Sequence, residues 1–243
     1  MAKVLVLANE TIGGKNLLDA VRDSAQVRVD LALAFMREEG ITGSGEVGDG
    51  DPLNAALDAI AHHGITEIIV STLPASTSGW MRRDLIEALE SDTGLPVKHV
   101  VVDLEREGLP FDVTLVVANQ TVAGRELVER LEALADEGPR RFIIVVPQDS
   151  GDGRAVRGAR ERLAALLSSL EGEGIVAAGM IGDPDPYTAT MNAVQYFHIS
   201  EIVISTLPEG TSHWMAEKLV DRVANATSKP VEHVESSAEP VQA

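Results

Sequence analysis

The side chains best suited to chemistry in this sequence close short apolar runs, and they come in pairs. Asn9 and Thr11 follow the run at residues 4–8; Asn119 and Thr121 follow the run that ends at Ala118. Gly48-Asp49 matches Gly182-Asp183, the latter preceded by Ile181, and Ser71-Thr72-Leu73-Pro74 matches Ser205-Thr206-Leu207-Pro208. Ser78 and Ser212 open the segments that come next. Amides, hydroxyls and Gly-Asp turns have two uses. They cap helices and close turns, or they hold a small ligand beyond the carboxyl ends of parallel strands. Capping alone accounts for each residue type. The ligand reading selects Ala118, Asn119, Thr121, Ile181, Gly182, Ser205, Thr206 and Ser212, with Asn9, Thr11, Ser71, Thr72 and Ser78 as counterparts. A serine at a helix N-terminus adds a weak anion site.

Other chemistry has less support. The chain has no cysteine, so thiolate catalysis, disulfides and cysteine-based zinc sites are excluded. The motifs GxSxG, GxxxxGK[ST] and HExxH are absent. Acid, base and nucleophile do not converge, so an enzyme is not favoured; a hydrolase built from loop Ser, His and Asp ranks third. Asp49 and Asp51 read as a turn and a helix cap rather than a cation site. His62 and His63 are adjacent at a helix end and face different ways, which argues against a shared metal. His99 and His233 read as residues of the closing strands, and Trp80 and Trp214 as packing.

These pairs belong to an internal duplication. VLVLANETIGG matches TLVVANQTVAG at an offset of 110 residues, and GDGDP matches GDPDP at an offset of 134. ITEIIVSTLPASTSGWMRRDL matches ISEIVISTLPEGTSHWMAEKL, again at 134, with 12 of 21 positions identical. LPVKHV then matches KPVEHV. Conserved order and spacing mark a repeat. The change of offset means that the first copy lacks 24 residues, the counterpart of 137–160. That stretch contains the apolar run 142–146, so the first copy is expected to lack one strand. In the second copy strands are expected at 114–118, 142–146, 176–181, 201–205 and 231–234. Helices are expected at 124–135, 159–173, 186–197 and 213–226, with Asp185 as N-cap and Pro186 at the first helical position. A Gly/Asp/Ser loop follows the second strand. In the first copy a third strand ends before Gly48. The stretch QVRVDLALAFMREEG fits both a two-residue and a helical period, and alignment of Gly40 with Gly174 favours helix. Alternating strands and helices indicate open, mostly parallel sheets with flanking helices.

The composition sets limits. Lys and Arg number 20 against 38 Asp and Glu, a net charge of −18. So acidic a chain repels nucleic acid and anionic membranes. No apolar run approaches the roughly 20 residues of a membrane span, and the first apolar run is too short for a secretory signal. A cytoplasmic protein is expected.

The polar loop after the first strand, the later GDP turn, the (D/E)-I-I-V strand and the closing P-V-x-x-V strand together resemble the universal stress protein family, over both copies. The resemblance implies flavodoxin-like, adenine nucleotide alpha hydrolase-like sheets of strand order 3-2-1-4-5, often paired about a two-fold axis. It implies tandem domains at 1–104, truncated by one strand, and 111–236, with 237–243 as a disordered tail. It also implies a stress-response or regulatory role with ATP or AMP as a ligand. Two departures bear on that ligand. Binding members carry Asp where this chain has Asn9 and Asn119, and a glycine-rich phosphate loop where it has STLPASTSGW and STLPEGTSHW. The alternative is an interaction or scaffold module of the same fold that binds no nucleotide. As partners, the closing strands are expected to join the two domains, and a protein partner or a homodimer is open.

Overall fold

The segment DVTLVV, rich in β-branched residues and without alternation, has the composition of a strand covered on both faces, and it forms the centre of a five-stranded sheet. The computed structural model describes residues 15–49, 51–72, 74, 85–122, 124–148, 153–208, 214 and 218–236. The expected strand at 4–8, with Asn9, Thr11, Ser78, Trp80, Ser212 and the tail at 237–243, lies outside the described residues. In chain order the elements are α1 (Lys15–Glu38), α2 (Pro52–His63), β1 (Ile68–Thr72), α3 (Leu85–Thr93), β2 (Val97–Val101) and α4 (Leu104–Glu107). Then follow β3 (Asp112–Val117), α5 (Arg125–Asp136), β4 (Arg140–Pro147), α6 (Gly153–Gly172) and β5 (Ala177–Gly182). The chain continues through α7 (Pro186–Tyr196), β6 (Glu201–Thr206), α8 (Leu219–Ala226) and β7 (Val231–Glu235). Two compact units emerge, one of residues 46–110 and one of residues 15–45 with 111–236. Among the described residues no helix is long and apolar enough to cross a membrane.

In the larger unit the strand order is β5-β4-β3-β6-β7, and every pairing is parallel. Counted along the second copy this is 3-2-1-4-5, the order that the family resemblance implies. Val116, Phe142, Ile144, Val146 and Val203 face one layer, where they meet Leu127 and Leu131 of α5 and Leu163, Leu166 and Leu170 of α6. Each of the large aliphatic chains here contributes roughly 1.5–3 kcal/mol by leaving water. The opposite face carries α7 and α8, and Ala189 of α7 sits next to Val145 beside Gly182. α6 begins at Gly153, inside the stretch that composition marks as a loop; its apolar residues at 159, 163, 166 and 170 hold a helix that extends back past them.

α1 is one continuous helix of 24 residues, which settles the ambiguous stretch in favour of helix. The repeat explains its length. Residues 15–26 correspond to α5 at offset 110 and residues 27–38 to the end of α6 at offset 134. With the counterpart of β4 deleted, the two helices have no strand between them and run on as one. The join is capped as α6 is: Gly40 and Gly174 both adopt φ +74°, and Ile41 and Ile175 donate to the oxygens of Met36 and Leu170, both at 2.8 Å.

α1 packs against β5 within the larger unit. Val27 and Ala34 are buried there, and the Ser24 hydroxyl reaches Met180 Sδ at 3.4 Å. Arg28 donates to the Tyr196 oxygen at 3.0 Å and lies over the Phe197 ring. Burial lowers its pKa, but a guanidinium stays charged. Glu38 pairs with buried Arg141, and Phe35 packs on Phe111. The expected third strand of the first copy is not formed: residues 41–49 are irregular. β5 pairs with β4 alone, so deleting the counterpart of β4 removes the hydrogen-bond partner that would make 41–47 a strand.

In the smaller unit β1 and β2 pair in parallel, with Val70 opposite His99. Val70, Leu85 and Leu89 form its core. Ile69 is 64% exposed, whereas its counterpart Val203 is fully buried. Val203 packs in the cluster formed with the leucines of α5 and α6.

Candidate functional site

The carboxyl ends of β3 and β6 bound the point where the chain order of the sheet reverses, because β3 leads to β4 on one side and pairs with β6 on the other. In open α/β sheets ligands lie in that crevice. Ala118 follows β3, is fully buried and donates its N–H to the Val145 oxygen. After it, Val122 N–H donates to Asn119 O at 3.3 Å and Gly124 N–H to Thr121 O at 2.9 Å.

Three expected site residues meet here. Thr121 is buried and its hydroxyl donates across the crevice to the Ser205 oxygen at 3.2 Å. Ser205 is buried in turn, and its own hydroxyl has no hydrogen-bond partner among the described residues. Asn119 accepts from Arg162 of α6: the guanidinium Nη2 lies 2.6 Å from Asn119 Oδ1. An arginine only donates, so this contact fixes the amide with its oxygen toward α6. Arg162 was not among the residues singled out from sequence. The signal was present: 162, 166 and 170 share one helical stripe, so Arg162 is a cation in line with two core leucines.

The other expected residues are placed elsewhere. Thr206 turns to β7, where its hydroxyl donates to the Leu207 oxygen and lies 2.9 Å from His233 Nε2. With that proton committed, His233 must be the donor in the second contact. Thr72 and His99 repeat the contact in the smaller unit at 2.8 Å. The histidines of the closing strands therefore tie each strand to its neighbour. The shared spacing of 27 residues in both copies was the sequence signal for it. Ser71 is exposed. Ile181 and Gly182 end β5, with β4 between them and β3. A Cβ on Gly182 would lie 2.7 Å from Val145 Cγ1 and 2.8 Å from Ala189 Cβ. Gly48 meets the counterpart Ala55 at the same 2.8 Å. This glycine lets a helix approach the strand end closely.

The Gly-Asp turns behave as turns and caps. Asp49 and Asp183 accept from the N–H of Asp51 and Asp185 at 2.7 and 2.8 Å. Asp51 caps α2, and Asp185 caps α7 with Pro186 at its start. Hydrogen bonds from Thr188 hold the Asp185 carboxyl below the usual aspartate range. Among the described residues no group of three or more Asp, Glu or His could hold a metal.

No protein-family model matches the chain, and no curated protein matches it. Among solved structures, it is similar to a universal stress protein from Archaeoglobus fulgidus at 18% identity and TM-score 0.42, covering 55% of this chain and all of that one. A second protein, from Archaeoglobus fulgidus DSM 4304, is similar over 98% of this chain and 83% of its own, at 16% identity and TM-score 0.41. A universal stress protein family protein from Arabidopsis thaliana, solved with AMP bound, is similar at 16% identity and TM-score 0.36, covering 53% of this chain and 94% of that one.

Proposed function

We propose that this chain is a cytoplasmic regulatory protein of universal-stress-protein type, acting in stress response and binding an adenine nucleotide at the carboxyl ends of β3 and β6. The observation that carries the reading is the Arg162–Asn119 pair at the sheet's reversal point. The loops at 205–214 lack the glycines that would cradle a phosphate with backbone N–H groups. A guanidinium supplies the same service with fixed donors and a full charge. The chain's net charge of −18 opposes an anion at long range, but screening cuts that field off beyond about 8 Å at physiological salt. A cation in contact with the ligand therefore outweighs it. The Ser205 hydroxyl adds a polar group that a ligand oxygen or a water in the crevice would satisfy. Thr121 and Thr206 contribute position rather than donors, since both hydroxyls donate to backbone oxygens.

Calorimetry with ATP and AMP tests this. Arg162→Ala and Asn119→Ala should each weaken binding by about tenfold or more, the loss of one charge-assisted hydrogen bond, while Asn9→Ala leaves it unchanged. Equal loss from Asn9→Ala and Asn119→Ala, or from neither, would count against the site at β3 and β6. No binding by the unaltered chain would favour an interaction module without nucleotide.

A further inference from the structure

We propose that residues 41–45 form a docking site for an extended strand of another polypeptide, one that opens with basic residues and continues with apolar ones. This rests on the repeat and not on the nucleotide reading. The segment is irregular, but it lies against α1 at the two points where its counterpart lies against α6. Placed on Gly45, a Cβ would lie 2.9 Å from Val29 Cγ1; on the counterpart Gly179 it would lie 2.5 Å from Leu163 Cδ1, and Leu163 is the counterpart of Val29. Both segments start with the same N–H to a helix oxygen, from Ile41 to Met36 and from Ile175 to Leu170. Backbone 41–45 is thus set against α1 as 175–179 is set against α6.

The difference lies on the other edge. The stretch from 177 onward spends its outward N–H and C=O groups on β4. Residues 42–45 are exposed, and among the described residues none of them makes a hydrogen bond. An open row of backbone groups on a fixed segment is a template for strand addition. The chemistry of the occupant follows from the strand that the first copy lacks. Its counterpart β4 reads RRFIIVVP, two arginines followed by an apolar run buried on both faces. In a parallel register its basic end meets the start of the segment, where exposed Glu39 stands.

A labelled peptide of sequence RRFIIVVP is the probe, titrated into the full chain by fluorescence anisotropy. Saturable binding is expected, and hydrogen exchange at 42–45 should slow on binding. The same peptide carrying Ile144→Pro should bind about tenfold or more weakly, since it lacks one ladder donor. Ser44→Pro in the chain should have the same effect, with circular dichroism checking its fold. Glu39→Lys should weaken binding at low salt, and the difference should shrink at about 0.5 M NaCl. Absence of binding overturns the proposal, as does binding that leaves exchange at 42–45 unchanged or is indifferent to the proline in the peptide.

Discussion

Asp185 illustrates how much of the repeated polar pattern is capping. Its carboxylate accepts from both the N–H and the hydroxyl of Thr188 at 2.9 and 2.7 Å, at the start of α7. Asp185→Ala should lower stability by about 0.5–2 kcal/mol at neutral pH, as loss of an N-cap does. The folded state holds this carboxyl at a depressed pKa, so it binds the proton more weakly than the unfolded chain does. The cap's contribution is then complete above the ordinary aspartate pKa of about 3.9 and is lost as pH falls through the depressed value. Urea unfolding midpoints of the unaltered chain and Asp185→Ala should therefore converge as pH falls below the ordinary aspartate range. A gap that stays constant down to acid pH would mean that the carboxylate charge is not what caps the helix.

At the scale of elements the largest departure from the pattern of residues 111–236 is α1, a single helix of 24 residues. Joining two helices in phase costs nothing in hydrogen bonds, and it sends the helix onto β5 with Val27 99% out of contact with water. Val27→Ala removes two methyl groups from that interface and should cost about 1–3 kcal/mol. Ala32→Ser, on an exposed position of the same helix, should stay within about 0.5 kcal/mol. Denaturant unfolding of the two variants measures both, and a neutral Val27→Ala would show that α1 is not docked. The irregular 41–49 stretch is a second departure: a strand needs a neighbour, and β4's counterpart was the only one that position has.

For the whole molecule the governing quantity is the charge of −18 over 243 residues. Exposed pairs such as Arg125–Glu129 contribute between about 0 and 1 kcal/mol each and cannot offset general self-repulsion. Salt screens the repulsion more than it weakens partly buried pairs such as Arg140–Glu201. Raising NaCl from about 0.05 to 1 M should therefore raise the melting temperature, by some 2–4 °C for each kcal/mol gained in a chain of this size. A melting temperature that falls with salt would show that specific ion pairs outweigh the net charge.

The sequence by itself determined the parallel α/β class and the caps at Asp51 and Asp185, because each is written in spacing or in residue type at a fixed local position. It also located the strand ends that bound the crevice at Asn119, Thr121 and Ser205. Local pattern could not tell which hydroxyls remain for a ligand. Thr121 and Thr206 looked alike, yet one bridges to β6 and the other is held by His233, contacts between residues 84 and 27 positions apart. Arg162 entered the site by reaching 43 positions back to Asn119. The seat of α1 was likewise a tertiary decision. Its apolar residues fix that it must be covered, but only packing against β5 and the end of α7 decides by what, since burial is satisfied by any complementary surface within reach of the chain.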